Sequence, residues 1–243
     1  MRLMTTERDT GYAAVDWAFD DEVTRVFDDM LERSIPEYQT MRDAVTTISS
    51  RFITAESLVL DLGTSRGEMI AALARAHTGT PGIMWRGFEI SEPMLDAARA
   101  RFQSNIADDS VQIILHDLRD GLDWQDADFI TAILTIMFVP MECRQTLLKG
   151  IYDSLKPGGG FIMVEKLLGQ DANLDNILTE AYYTFKSNSG YTDEEIDRKR
   201  LSLQGVLVPM TAQNNIDALK SAGFTSVDCF WRWMNFAGFI AIK

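Results

Sequence analysis

The residues of this chain whose types and spacing could do chemistry are gathered around one turn, Asp61-Leu-Gly63-Thr64-Ser65-Arg66-Gly67. Asp61 lies near the end of a short apolar run from Ser57 to Leu62, long enough for one buried strand. Glu68 to Ala76, rich in Ala, Leu and Met, follows the turn and reads as a helix. Strand, glycine turn, helix is the layout of a nucleotide-binding crossover. Gly63 lets the chain turn sharply and a ligand approach the backbone. Gly67 lets the helix start close to the strand, and the helix N-terminus offers unpaired N–H groups. The pattern is neither the dinucleotide fingerprint, which needs a second glycine where Ser65 stands, nor a P-loop, which closes on Gly-Lys-Ser/Thr. Asp61 would repel a phosphate, whereas its carboxylate accepts from an ammonium group. The turn therefore suits S-adenosylmethionine better than a nucleotide phosphate. An ordinary glycine turn is the competing reading.

Two further carboxylates have the spacing of such a site. Glu89 ends a second strand, Ile83 to Ile90, at the distance of roughly twenty residues expected for a ribose-binding acid. Asp117 follows a third strand, Val111 to Leu115, and is placed to accept from an adenine amino group. As a plain turn residue it would need no ligand, and the residues alone leave both readings open.

The elements that must position these groups alternate. Asp20 to Leu31 carries Val23, Phe27, Met30 and Leu31 on one face, as an amphipathic helix does. Pro36 opens a second helix to about Arg51. Residues 1–55 are thus expected to form lid helices over the strand ends, within the same domain as residues 56–243. Ser91 caps a helix after strand two. The apolar run Phe129 to Val139 gives strand four in its first half, buried on both faces. A helix from Pro140 to Leu155, the turn Lys156-Pro-Gly-Gly-Gly160 and a fifth strand, Phe161 to Glu165, follow. Asp171 to Ser187 reads as a helix, Thr192-Asp-Glu-Glu195 as a capping box opening another, and Ile216 to Ser221 as the last. Thr225 to Trp233 and Phe236 to Ile242 close as a hairpin. Alternating strands and helices imply an α/β fold with a mainly parallel sheet.

Composition bounds the classes. The chain has 243 residues, 46% of them hydrophobic, and a net charge of −13. That charge disfavours broad contact with a nucleic-acid backbone. No apolar run reaches membrane-spanning length, and Met1 to Thr10 is polar, so neither a membrane span nor a signal peptide is expected. Cys143 and Cys229 are expected to be core thiols in a reducing, cytoplasmic compartment. His77 and His116 have no ligand neighbours, and no metal constellation is visible.

Taken together, Asp61 to Gly67, Glu89, Asp117 and Lys156-Pro-Gly-Gly-Gly160 resemble the class I S-adenosylmethionine-dependent methyltransferase fold. That resemblance implies a Rossmann-like, mainly parallel seven-stranded sheet with helices on both faces. Val23 to Tyr38, Val164-Glu165-Lys166, Phe185-Lys186, Gly190-Tyr191, Lys199-Arg200 and Asn235-Phe236 further resemble the carboxy-S-adenosylmethionine synthases, from about Asp16 onward. This family is similar in fold to methyltransferases, but it carries a carboxylate from prephenate onto the methyl carbon of S-adenosylmethionine and releases phenylpyruvate. Its product serves wobble-uridine modification in tRNA, and its members form homodimers.

The resemblance implies a cofactor site of Asp61, Gly63, Thr64, Ser65, Gly67, Glu89, Ile90, Asp117, Leu118, Ile133 and Arg200, holding S-adenosylmethionine or its carboxylated form without a metal. It implies that Arg200 holds the new carboxylate through a bidentate fork and that Tyr38 donates a second hydrogen bond. From the residues alone, Arg198-Lys199-Arg200 reads as a solvated helix face. Three departures from the family stand out: Ile133 replaces an Asn, Glu89-Ile90 replaces Asp-Asn, and Arg66 replaces a small apolar residue near the pocket mouth.

The implied chemistry fits the inventory. A methyl group on a sulfonium is acidified by the positive sulfur, so the protein needs orientation, dryness and anion recognition more than a nucleophile. No Ser-His-Asp or Cys-His arrangement is visible. Two other readings stay open: a methyltransferase acting on a small molecule or macromolecule, and a non-catalytic dimeric module that binds the cofactor.

Overall fold

The computed structural model describes residues 8–9, 17–107 and 109–243. Most of Met1 to Ala14, expected to be loose, lies outside these residues, as does Asp16.

Helix α1 (Asp21–Ser34) begins where Asp20 accepts from the backbone of Glu22 and Val23. Asp21 and Glu22 in its first turn and Arg33 in its last complement the helix dipole. Helix α2 is Tyr38–Ser49. Pro36 does not open it; Pro36 sits in the preceding turn, and left-handed Glu37 is the N-cap. Then come β1 (Leu58–Leu62), α3 (Glu68–Ala76), β2 (Met84–Glu89), α4 (Glu92–Arg101), the short α5 (Gln103–Ala107), β3 (Val111–Leu115) and β4 (Ala127–Ile133). The second half of the long apolar run is a 3-10 turn, Ile136–Phe138, not strand. Next are α6 (Met141–Ser154), β5 (Leu155–Leu168), α7 (Ala172–Asn188), α8 (Asp193–Ser202), β6 (Met210–Thr211), α9 (Ala212–Ala222), β7 (Ser226–Trp233) and β8 (Phe236–Ile242).

The capping box is realised at α8. Thr192 Oγ1 accepts from Glu195 N–H, and the Glu195 carboxylate accepts from Thr192 N–H at 2.7 Å. Strand β5 starts earlier than the glycine run suggests. Leu155 pairs with Ala127 and Gly160 with Phe129, so Lys156–Gly159 loop out as a wide irregularity inside the strand, with Gly158 at φ 80°.

The sheet order is β3-β2-β1-β4-β5-β8-β7, the expected seven strands, with two-residue β6 joined to the end of β5. Pairing is parallel except where β8 runs against β5 and β7. Order reverses between β1 and β4, which opens a crevice at their C-terminal ends. Alternation along the strands divides the core. Leu60, Leu62, Ile130 and Ala132 pack with Leu147, Ile151 and Leu219 on one face. Val59, Phe129 and Ile162 pack with Met41, Val45, Ile70, Leu73 and Leu95 on the other. The period of two puts Asp61 on the second face, beside Val59. Helix α2 is therefore a core helix for most of its length. Helix α1 instead packs with Trp17, Met94 and Phe138 over the strand ends.

Gly67 is required twice over: its φ is +79°, and an added Cβ would meet Phe102 Cε2 at 2.4 Å. Gly205 has nearly the same φ, +78°, with open space around it. Gly67→Ala should lose about 2–5 kcal/mol, left-handed strain plus crowding. Gly205→Ala should lose only about 1–2 kcal/mol. Urea denaturation of the two variants checks the difference; equal losses would mean that Phe102 moves aside freely.

Candidate active site

A cavity of about 550 Å³ lies over the C-terminal ends of the strands and under α1. Of the residues expected to hold a cofactor, Asp61, Gly63, Thr64, Ser65 and Glu89 line it. So do Ile90, Asp117, Leu118 and Ile133, and Tyr38 from α2. Gly67 does not line it; it is the N-cap that starts α3. Arg200 does not line it either. It is exposed on α8, with Nε 3.2 Å from Asp197.

Asp61 is buried at the end of β1, and both of its oxygens are engaged. Thr131 Oγ1 donates to Oδ1 and Thr64 Oγ1 to Oδ2, each at 2.7 Å. Burial pushes its carboxyl up to about 6, against the pull of those two hydroxyls. Glu89 is also buried. Its Oε2 accepts from Ser65 N–H at 2.8 Å, and its Oε1 accepts from Ile90 and Ser91 N–H at 2.9 and 2.8 Å. Burial raises its carboxyl too, opposed by those backbone bonds. Ser65 is left-handed, φ 51°, and its bond to Glu89 holds that conformation in place. Asp117 caps the 3-10 turn Leu118–Asp120 and is held by Arg119, whose side-chain bonds keep its carboxyl below the usual range. Leu118 and Phe88 add apolar wall, and exposed Ile90 edges the mouth.

Arg66 is not a pocket cation. Its guanidinium reaches across to α1, at 3.3 Å from Thr24 O and 3.4 Å from Asp28, and lies 4.0 Å from Glu68. Glu68 in turn holds Arg101 at 2.6 Å. Arg66 thereby ties the glycine turn to α1.

Several lining residues carried no local sequence signal. Arg42 borders the cavity next to Asp61; Nη2 donates to Glu68 O at 2.8 Å, while buried Nε has no hydrogen-bond partner among the described residues. Lys166, at the end of β5, and Lys199, on α8, line the far wall with Tyr182 and Phe236. Thr131 is invisible as a site residue because a lone Thr in an apolar run reads as strand. Lys166 and Lys199 were legible only inside the matched segments.

The residues present fit S-adenosylmethionine. Two buried carboxylates at the ends of adjacent strands suit an ammonium and a ribose, and an orphaned guanidinium N–H suits a carboxylate. Among the described residues no cluster of His, Cys, Asp and Glu could hold a metal, and no helix is long and apolar enough to cross a membrane. Both cysteines are free and half-buried.

A methyltransferase-domain family model matches residues 59–159. The chain is 36% identical over 228 residues to the carboxy-S-adenosyl-L-methionine synthase of Methylococcus capsulatus, covering 94% of each chain. It is 38% identical over 225 residues to that of Nautilia profundicola, covering 93% of this chain and 94% of the relative. This chain belongs to the carboxy-S-adenosyl-L-methionine synthase family. As a family member it is an enzyme, a transferase that uses S-adenosylmethionine. Solved structures agree on the fold. Human N-acetylserotonin methyltransferase in complex with the cofactor superposes with a TM-score of 0.63 at 18% identity, over 92% of this chain and 55% of that one. The methyltransferase SibL superposes with a TM-score of 0.62 at 18% identity, over 90% and 57%.

The raised carboxyl of Asp61 makes cofactor binding pH-dependent. The empty folded protein holds a proton on Asp61 below about 6, whereas the unfolded chain releases it near 3.8. Acidification through about 6 therefore favours the empty protein and opposes a cationic ligand. Affinity for S-adenosylmethionine should fall as pH drops through that value. Thr131→Val removes a bond to the ionised form, so the fall should begin about one pH unit higher. Calorimetric titrations on both sides of the midpoint check this; a pH-independent affinity would mean that Asp61 stays ionised.

Proposed function

We propose that this enzyme moves a carboxylate from prephenate to the methyl carbon of S-adenosylmethionine, giving carboxy-S-adenosylmethionine and phenylpyruvate. The balance is simple. Prephenate loses carbon dioxide and hydroxide as its ring becomes aromatic. The methyl group gives up a proton, which joins the hydroxide as water, and the carbon dioxide forms the new bond. The observation that carries the reading is the division of one cavity. Buried acids line the strand ends near β1 and β2, and half-buried Lys166 and buried Lys199 line the end of β5 and α8. Such a cavity suits a cationic cofactor meeting an anionic donor, out of water. The reading agrees with the name of the relatives.

In this reading Asp61 faces the ammonium of the methionine moiety, and Glu89, with about one lone-pair site left after three backbone bonds, faces the ribose hydroxyls. Asp117 and Leu118 border the adenine. Arg42 takes the methionine carboxylate through its unpartnered Nε. Tyr38, whose ring lies 5.4 Å from the Arg42 guanidinium, stands beside the reacting methyl group. The product would serve tRNA wobble-uridine modification in the cytoplasm, with no direct nucleic-acid contact by this chain. A homodimer completes the reading. Arg200 faces outward, so its role toward the new carboxylate requires that the α8 face meet a second copy.

Mass analysis of the ligand that co-purifies is the first test. A carboxylated sulfonium is expected; S-adenosylhomocysteine would favour methyl transfer instead, and an empty site a binding module. Arg42→Ala should weaken S-adenosylmethionine by about 1.5–3 kcal/mol, the worth of a hydrogen bond to a charged group. Unchanged affinity by calorimetry would remove Arg42 from the site.

A further inference from the structure

Positive charge gathers at and behind the part of the cavity that Lys166 and Lys199 line. Arg33, Lys186 and Lys199 all stand against the ring of Tyr191, at 4.0, 4.6 and 5.7 Å from its centroid. Arg33 is met by Asp29 at 3.0 Å and Lys199 by Asp9 at 2.9 Å. Tyr191 also donates to Asp9. Lys186 and Lys166 have no carboxylate within ion-pair distance among the described residues. Lys166 stands over the Tyr182 ring at 4.7 Å. Asp175 faces it only at longer range, with one oxygen taken by Gly169 N–H at 2.7 Å. Burial pulls the Lys186 ammonium down to about 7, with Lys199 adding to the effect, and burial pulls Lys166 down to about 8. Like charges gathered out of water are costly unless an anion joins them.

The same wall is apolar beside Lys166. Tyr182 and Phe236 meet edge to face with centroids 5.4 Å apart, and Ile35 packs against them. Tyr182 is anchored by its hydroxyl, which donates to Ser34 O at 3.0 Å. All of Ile35, Tyr182, Phe236, Lys166 and Lys199 border the cavity, whereas Lys186 stands behind it.

We propose that Lys166 and Lys199, backed by Lys186, form the subsite that holds the carboxylate the second substrate keeps, with its ring on Tyr182 and Phe236. The substrate class is a small carboxylate with a cyclic apolar body. Lys166 donates directly; Lys199 shares its charge with Asp9; Lys186 supplies field from behind. This deepens the carboxylate-donor reading and rests on it for the identity of the donor, but the subsite itself needs only anion recognition.

The test uses phenylpyruvate, which has the carboxylate and the ring, and phenylacetone, which has the ring alone. Both are titrated into the full chain saturated with S-adenosylmethionine. The wild type should bind phenylpyruvate more tightly than phenylacetone. Lys166→Met should weaken phenylpyruvate about tenfold to a hundredfold, leave phenylacetone and S-adenosylmethionine within about twofold, and be partly restored by Lys166→Arg. Lys186→Met, which touches no ligand, should give a smaller loss in the same direction. If Lys166→Met binds phenylpyruvate as the wild type does, or weakens S-adenosylmethionine equally, the subsite is overturned. A wild type that does not distinguish the two probes overturns it too. If the Lys166-dependent preference is present but prephenate yields no carboxylated product, the subsite stands and the carboxyl-transfer reading falls.

Discussion

Two carboxylates placed out of water hold the working end of this molecule together. Asp61 ends β1 between the hydroxyls of Thr131 on β4 and Thr64 in the turn, so one side chain joins two strands and a loop. Glu89 ends β2 and takes three backbone N–H groups from the glycine turn and from the start of α4. A buried carboxylate is tolerable only when hydrogen-bonded. These bonds satisfy the acids and hold the turn in its left-handed conformation at Ser65. The site is thus preorganised by the same contacts that make its charges affordable. Helix α1 depends on this arrangement as well, because Arg66 projects from the fixed turn to its Asp28 and Thr24.

The second constraint is the separation of charge inside one cavity. Acids gather where β1 and β2 end, and lysines where β5 ends and α8 passes. Were they adjacent, they would pair with each other and leave nothing for a ligand. The parallel sheet keeps them apart, because neighbouring strands are about 4.8 Å apart and β4 stands between β1 and β5. A cofactor with a cationic centre and a substrate with a carboxylate can then occupy opposite ends and meet in the middle, where Ile133 and Leu134 offer apolar wall.

Much of this was legible in the chain. The glycine turn, the acids at the strand ends and the order of strands and helices follow from local patterns: apolar runs, caps and glycines with fixed backbone needs. The capping box at Thr192 was readable because its two bonds are three residues apart. What escaped were features made by distant pairing. Arg66 read only as a departure near the pocket mouth because its partners, Asp28 and Thr24, lie some forty residues away in sequence. The glycine run at Lys156–Gly160 read as a turn, but pairing of Leu155 with Ala127 extends the strand across it. Arg42 carried no signal, since an Arg on an amphipathic helix is ordinarily solvated; here its helix packs on the sheet and turns that position toward Asp61. Arg200 stands on an exposed helix face, as the basic cluster alone reads, and Lys199 next to it points inward.

In the proposed reaction a donor anchored at the lysine end of the cavity gives up its ring carboxylate to a methyl group held at the acid end. The most direct measurement follows a heavy-carbon label placed in the ring carboxylate of prephenate, with the enzyme, S-adenosylmethionine and mass analysis of the nucleoside product. The proposed transfer puts the label in a carboxylated sulfonium, with phenylpyruvate released in equal amount. Unlabelled S-adenosylmethionine recovered intact, or S-adenosylhomocysteine as the product, would contradict it.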